Sequence, residues 1–252
     1  MRTLSIALLA AACIFLGARD GAAGATLKDG ELSYTANGKT ETFTSDEVAA
    51  QNVRGSEMNF VTLDEEAAAR IGKKPTLLIF DASGQLAAET SSIPNVEIEQ
   101  ISALFLSPSG KTLAVDSGTW VVRAWDFVSY PALASKGRGI GYLSPDEGMA
   151  DMLWVDDDHI LTTTIDEKSG RPCGDYDPCG KRSVVLYQVS SGKTTPVLAG
   201  TDLCDYNLAS FADNQVTAEK ACGKKVADWK TDTSIQKNVK RERISVPLPG
   251  KK

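Results

Sequence analysis

The sequence has 252 residues, and its 33 Asp and Glu residues outnumber its 27 Lys and Arg residues, which gives a formal net charge of −6 at pH 7. Nucleic acids and anionic membrane surfaces repel an acidic protein, so we expect neither as a partner. The length suits one full apolar core or a single large β domain.

The first 25 residues have the pattern of a secretory signal peptide. A basic start at Met1-Arg2-Thr3 precedes an apolar run from Leu4 to Ala18. The later Ala23-Gly24-Ala25 fits the rule of small residues before a cleavage site. We therefore expect residues 1–25 to be removed and residues 26–252 to form one domain that begins at Thr26. The expected location is periplasmic or extracellular.

Two other roles of the apolar run stay open. A membrane anchor needs about 20 apolar residues, and this run is shorter and is followed directly by charge, so we expect no stable membrane span after cleavage. Lipidation at Cys13 is the lesser alternative, because Ala10 stands where a lipoprotein signal normally has Leu.

Four cysteines follow the signal segment, namely Cys173, Cys179, Cys204 and Cys222. An even number in an exported chain indicates disulfide bonds, and four cysteines allow three connectivities. Their spacing lacks the paired C-x2-C arrangement of structural zinc sites. We favour local pairing, Cys173 with Cys179 and Cys204 with Cys222.

The second of these pairs frames a predicted β-hairpin. Cys204 and Cys222 are equidistant from Asp213, and short strand-like runs flank an Asp-Asn turn there. Antiparallel pairing in this register places the two cysteines opposite each other, within disulfide reach.

The rest of the chain consists mainly of short runs of Val, Ile, Thr, Tyr and Trp between Gly, Asn, Ser and Asp turns. This pattern predicts an all-β fold. Helix is expected at Asp64–Arg70, where Asp64 can cap one or two turns, and less clearly at Asp46–Gln51.

The turns form two alternating sets. One set, at residues 36–39, 82–85 and 190–193, joins strands with polar alternation, and the other, at 107–111, 156–159 and 212–215, joins more apolar strands. Members of a set recur at roughly 46 to 60 residues, near the period of propeller blades. A further connection lies near Tyr130-Pro131. An insertion at residues 167–182 holds Cys173 and Cys179 and widens one gap.

Three segments resemble the blades of WD-like and TolB-like β-propellers. Residues 106–115, with Ser-Pro-Ser-Gly-Lys, resemble an inner hairpin, residues 152–161 contain a similar Trp-x-Asp-Asp turn, and residues 186–193 resemble an outer hairpin. The likeness covers about residues 76–222 and is generic to such repeats. It implies a β-propeller-like fold of about four to five four-stranded blades, complete or irregular. The blade signals fade before Lys74 and after Lys225.

Stacked blades bury apolar faces that one sheet cannot cover alone. The core candidates are Phe105, Leu113, Trp154, Ile160, Leu161, Leu186 and Leu208. We assign Trp120 and Trp125 to opposite faces of a strand, one in the core and one at the rim.

Residues for familiar catalytic chemistry are sparse in this sequence. His159, the only histidine, falls within a predicted turn, so a multi-His metal site is excluded. Gly137–Gly141 is glycine-rich but lacks the strand–turn–helix setting of a nucleotide-binding loop, and we interpret it as a flexible loop. We therefore expect no cofactor and assign no catalytic residue.

Carboxylates are the one abundant reactive type. Asp156, Asp157 and Asp158 crowd one turn, where Asp commonly bonds to its own backbone. Asp175 and Asp177 are candidate Ca²⁺ ligands, but two carboxylates are few for this ion. A solvated surface turn is the simpler interpretation.

These patterns favour a non-enzymatic binding or protein-interaction module with a protein partner on one propeller face. The alternative is a carboxylate-dependent hydrolase or lectin that acts on sugars, with paired Asp or Glu beside Trp120, Trp125 or Trp229. The basic stretch Lys237–Arg243 is interpreted as a solvated edge strand.

Overall fold

The computed structural model describes residues 24–119, 122–137, 139–142, 148–166, 180–224 and 238–250. The all-β prediction is confirmed, because these residues form strands β1 to β18, one α-helix and a single 3₁₀ turn at Ile98–Gln100. Residues 1–23, with the predicted signal segment and Cys13, lie outside the described residues, and so do Cys173 and Cys179.

The strands follow one another as antiparallel meanders, in which each strand pairs with the next along the chain. The first meander contains β1 (Gly24–Lys28), β2 (Glu31–Ala36) and β3 (Lys39–Phe43). The second contains β4 (Gln51–Arg54), β5 (Asn59–Leu63), β6 (Thr76–Phe80) and β7 (Leu86–Thr90), with helix α1 (Glu65–Arg70) between β5 and β6.

Three more meanders complete the described chain. The third contains β8 (Ile101–Leu106), β9 (Thr112–Thr119), β10 (Val122–Ser129) and β11 (Ile140–Tyr142). The fourth contains β12 (Met152–Trp154), β13 (His159–Asp166), β14 (Lys181–Gln188) and β15 (Lys193–Leu198). The fifth contains β16 (Cys204–Ala212), β17 (Gln215–Cys222) and β18 (Lys240–Pro247).

The sheet order departs from the expected set of separate four-stranded blades. β4 and β8 pair in parallel through Val53 with Leu104 and Arg54 with Phe105, which joins the second and third meanders into one eight-stranded sheet. The first and fifth meanders are three-stranded sheets, and only the fourth is a four-stranded sheet of its own within the described residues. A propeller of four-stranded blades is therefore not established by these sheets.

Each of four apolar cores lies between two successive meanders, and we number the cores in chain order. Consecutive strand residues point to opposite faces, so neighbours in sequence belong to different cores. Phe127 lies in the third core and Val128 in the second. Ile160 lies in the third and Leu161 in the fourth. The inner strands are therefore apolar on both faces, and Thr76–Phe80 is buried at every position.

The predicted core residues all contact one of these cores. Leu113, Ile160, Leu161 and Leu208 are fully buried, whereas Phe105, Trp154 and Leu186 are partly buried. The third core also contains two stacked pairs of aromatic rings that this list does not include. Trp125 stacks on Tyr142, and Phe127 stacks on Tyr187.

The predicted cysteine hairpin is confirmed, with one correction. Cys204 pairs with Cys222 in register, and a disulfide joins them. The turn is the two-residue Asp213–Asn214, with φ of 50° and 58°, typical of a type I′ hairpin turn. A turn of that length alone would place Cys204 opposite Gly223. A register shift between Leu208 and Ser210 absorbs one residue and brings the cysteines together.

One of the two predicted helices forms. The Asp64 side chain accepts a hydrogen bond from the Ala67 backbone N–H at 2.9 Å and caps α1. The helix predicted at Asp46–Gln51 is wrong. The backbone N–H groups of Glu47 and Val48 both donate to the Thr44 carbonyl, which makes a turn, and Gln51 already begins β4.

The basic stretch near the C-terminus agrees with an edge strand as far as it is described. Lys240, Arg241 and Arg243 are exposed on β18, which lies at the edge of its sheet, and Lys237 is outside the described residues. Regular strands also occur where blade signals were expected to fade, at β1–β5 and β18.

Replacing both Cys204 and Cys222 by Ser should lower the free energy of unfolding by about 2–4 kcal/mol, because the bridge restricts the unfolded chain. Urea unfolding of the oxidised proteins measures the difference. The matched control is the same comparison in reductant, where the two proteins should unfold at closely similar urea concentrations. A wild-type protein that gains nothing from oxidation would contradict this expectation.

Candidate functional site

Two arginines and three aromatic rings form a continuous row of contacts on one face of the eight-stranded sheet. The Arg54 guanidinium lies 4.4 Å from the centroid of the Phe105 ring, and Phe105 meets Trp125 edge-on at 5.2 Å. Trp125 stacks on Tyr142 at 5.1 Å, and the Arg123 guanidinium lies 5.7 Å from the Tyr142 ring. We call these five residues the arginine–aromatic cluster.

Strand register creates the cluster. Arg54 on β4 stands opposite Phe105 on β8, and Arg123 on β10 stands opposite Tyr142 on β11. Directly opposed residues share a face of the sheet, so each arginine meets a ring from the neighbouring strand. Each contact is therefore fixed by backbone pairing.

The inner end of the cluster is an ion pair. Asp116 on β9 is 2% exposed, and Arg123 donates to its Oδ1 from Nε at 3.3 Å and also contacts it through Nη2. The Ser102 hydroxyl donates to Asp116 Oδ2 at 2.8 Å. Removing one partner of such a buried pair typically costs about 3–5 kcal/mol, so Asp116 and Arg123 hold β9 and β10 in place.

The outer end of the cluster faces solvent. Arg54 has 51% of its side chain exposed and pairs with Asp151 at 3.0 Å. Asp151 immediately precedes β12, so this ion pair reaches from the second meander to the fourth. Trp154 on β12 donates from Nε1 to the Phe105 carbonyl at 3.4 Å, which adds a second link beside it.

Tyr142 lies between the two ends as a neutral phenol. Burial raises the pKa of Tyr142, and the negative charges of Asp116 and Asp151 raise it further, although Arg123 opposes them. The ring therefore offers the cluster a hydroxyl donor rather than a charge at neutral pH.

Trp125 is the core member of the predicted tryptophan pair. It is fully buried, and its Nε1 has no hydrogen-bond partner in the described part of the chain. Because Trp125 is buried and Tyr142 stacks on its ring, it is not open to stacking with a ligand. Trp120 and Trp229 lie outside the described residues.

The Asp triplet is a structural junction between turns. Asp157 Oδ1 accepts from the Ser109 backbone N–H at 2.9 Å, which ties this turn to the β8–β9 turn. Asp158 accepts from Ser190 N–H, from the Ser190 hydroxyl and from the side-chain amide of Gln188, which ties it to the β14–β15 turn. The triplet thus links the third and fourth meanders.

His159 lies at the start of a strand, not in the middle of the turn as predicted. Asp156–Asp158 complete the chain reversal, and the Val155 N–H donates to the His159 carbonyl at 2.9 Å. The His159 Nδ1 lies 2.8 Å from Asp156 Oδ1. This histidine therefore helps to fix the turn.

The interpretation of residues 137–141 as a flexible loop is wrong for the end of this segment. Ile140 and Gly141 belong to β11 and pair with Trp125 and Ala124. A Cβ on Gly139 would lie 2.7 Å from Asp126 Oδ1, so a close approach between strands explains that glycine. The candidate Ca²⁺ ligands Asp175 and Asp177 lie outside the described residues, and the residues that are described contain no cluster of three metal-ligating side chains.

Sequence reasoning missed Arg54, Arg123 and Asp116. Arg123 is a basic residue two positions before Trp125, and Asp116 interrupts an apolar strand, which are the only local signals that pointed to a paired charge. The Arg54 contact depends on the parallel pairing of β4 with β8, and no local pattern announces it.

Comparisons with known proteins do not identify a family. No family model and no curated protein matches the chain. A solved structure of the uncharacterized protein lmo1340 from Listeria monocytogenes EGD-e is similar at 10% identity and a TM-score of 0.26. The match covers 69% of this chain and 63% of that one, so this chain spans less than two thirds of that protein's length. No helix in the described residues is long and apolar enough to cross a membrane.

The hydrogen bonds of Asp157 and Asp158 should make the free energy of unfolding depend on pH in the acidic range. Hydrogen bonds from Ser109 hold the pKa of Asp157 below its ordinary value. Partial burial alone raises the pKa of Asp158, but the donors of Ser190 and Gln188 outweigh it, so this pKa is lowered too. A lowered folded-state pKa contributes stability above the unfolded-state value, and that contribution is lost as the pH falls through the folded-state value.

We therefore expect Asp158→Asn to lower the free energy of unfolding at pH 7 and to weaken its dependence on pH below about pH 4, where unfolded Asp takes up a proton. Urea unfolding from pH 7 to pH 2.5 measures both effects. Asp213→Asn, at the exposed hairpin turn, is the matched control for the removal of one carboxylate. Parallel profiles for wild type and Asp158→Asn would contradict the junction.

Proposed function

We propose that this chain is an exported, non-enzymatic binding module that recognises a protein partner at the outer end of the arginine–aromatic cluster. The observation that carries the proposal is Arg54, which is half exposed while it rests on Phe105 and pairs with Asp151. Arginine and aromatic side chains are enriched in interface cores, because they add large contact area and several donors with little loss of freedom.

Rigidity of the face supports the same function. Arg54 is held by one ring and one carboxylate, and the ring is itself held by Trp125 and by the Trp154 hydrogen bond. A side chain that is already ordered loses less conformational entropy when a partner binds. The charges of both arginines are balanced by Asp151 and Asp116, so shape and hydrogen bonding would select the partner more than net charge.

The scaffold that we propose is β-propeller-like. Successive meanders begin at Gln51, Ile101, Met152 and Cys204, so a new one starts about every 50 residues, near the period of propeller blades. The shared cores between successive meanders also support a stack of repeats. Loops on one face of such a scaffold are the usual place for recognition.

Export of the chain is supported by two independent features. The basic and apolar residues before Ala18 have the order of a signal segment. The Cys204–Cys222 disulfide is typical of a protein that folds in an oxidising compartment such as the periplasm or the extracellular space.

One observation favours the alternative of a sugar-acting hydrolase or lectin. The negative charges of Asp116 and Asp151 both raise the pKa of Tyr142, whose ring stacks on Trp125, so two carboxylates lie within electrostatic range of one aromatic pair. A glycosidase needs two carboxylates about 5–9 Å apart. Against it, Asp116 is engaged by Arg123 and Ser102, and the Trp125 ring is covered.

The binding proposal predicts face-specific photo-cross-linking. A photoreactive amino acid at Asn52, which is exposed on β4 and shares a sheet face with Arg54 two residues later, should cross-link one protein of the exported fraction. Excess unlabelled wild-type protein should compete with the photoreactive protein and suppress the cross-linked product. The Arg54→Ala variant should need at least a tenfold higher concentration for the same suppression, because it lacks a central contact worth about 1.4 kcal/mol or more.

The matched control carries the same photoreactive group at Thr194, an exposed residue of β15 away from the cluster. Cross-linking that is equal at both positions, or that Arg54→Ala suppresses as well as wild type, would overturn the proposal. Release of reducing sugar from soluble oligosaccharides that is lost in Asp116→Asn would support the alternative instead.

A further inference from the structure

Strand β1 is an integral part of the folded chain from Gly24 onward. It pairs with β2 over all five of its residues, including Gly24 with Thr35 and Ala25 with Tyr34. Ala25 is only 5% exposed and packs in the first core. The first two residues of β1 therefore contribute both backbone pairing and buried apolar surface.

The same strand joins the first meander to the second. The Leu27 N–H donates to the Gly84 carbonyl at 2.8 Å, and Thr26 forms a bridge with Gln85. A Cβ at Gly84 would come within 2.1 Å of the Leu27 carbonyl oxygen, so the β6–β7 turn approaches β1 as closely as glycine allows. β1 is consequently held on both sides.

Cleavage before Thr26, the site expected from Ala23 and Ala25, would cut this strand internally. It would remove the pairs of Gly24 and Ala25 and expose first-core surface that Ala25 covers. Gly24, unlike Ala25, is exposed, with no atom within 4 Å of where a Cβ would lie.

The sequence offers a second site that avoids this conflict. Gly21 and Ala23 stand three residues and one residue before the Ala23–Gly24 bond, so they too satisfy the rule of small residues. We infer that processing cuts the Ala23–Gly24 bond and that the exported chain begins at Gly24. A signal peptidase would add water across this amide, which leaves a carboxylate on Ala23 and an ammonium group on Gly24. The inference rests on the export proposed above.

The direct test is the N-terminal sequence and intact mass of the protein recovered from the exported fraction of cells that express the full chain. A chain that begins at Gly24 supports the inference. A start at Thr26, or at any other residue, overturns it. A chain that keeps Met1 and is found only in the cytoplasmic fraction overturns both this inference and export, whereas a Gly24 start without face-specific cross-linking overturns the binding function alone.

Two variants separate the competing sites. Gly21→Asp alters the residue three places before the inferred bond and leaves Ala23 and Ala25 in place, so it should abolish the Gly24 start. Ala25→Val spoils the residue directly before Thr26, and the Gly24 start should persist. The ratio of precursor to processed chain, read by mass, does not depend on how well either variant folds. The opposite pattern overturns the inference.

The structural reason is tested by comparing chains that begin at Gly24 and at Thr26. The shorter chain should unfold at lower urea, with its folded-to-unfolded ratio reduced about tenfold or more by the lost burial and pairing. Equal urea midpoints would overturn the structural reason for choosing Gly24. A tag removed to leave no extra residue keeps the two N-termini authentic.

Discussion

The fold depends on one constraint: a meander in the middle of the chain must bury both of its faces. Its inner strands are apolar at successive positions, so either face alone would be exposed without a neighbour. Phe127 and Val128 illustrate this, because they are adjacent in sequence and serve the third and second cores. The same holds for Ile160 and Leu161 in the next meander. The stability of the fold therefore depends on contacts between meanders that follow each other along the chain.

The arginine–aromatic cluster follows from this stacking. The third core lies between the third and fourth meanders, and its aromatic rings continue outward through Phe105 to Arg54 at the surface. Where the face turns polar, Asp116 is buried and needs the compensation that Arg123 and Ser102 provide. A rigid apolar interior therefore supports a polar surface at its edge, as the proposed binding function requires.

Local chemistry made the hairpins predictable, and long-range pairing limited the rest. Asn37-Gly38 and Asp213-Asn214 signal tight turns because they tolerate positive φ, and the turns form there. The register shift near Ala209 could not be predicted, because the spacing of the two cysteines does not show where a bulge occurs. The parallel pairing of β4 with β8 involves only two residues on each strand, so the eight-stranded sheet and the Arg54–Phe105 contact could not be anticipated.

Double-mutant cycles that use Phe127 and Val128 test the shared-core account most directly. The Phe127 ring stacks on Tyr187 of the next meander at 5.8 Å, whereas Val128 faces the second core. The account predicts a coupling energy of about 0.5–1.5 kcal/mol between Phe127→Leu and Tyr187→Leu. Val128→Ala and Tyr187→Leu should be additive within about 0.5 kcal/mol. Equal coupling in the two cycles, or none in the first, would contradict cores shared between successive meanders.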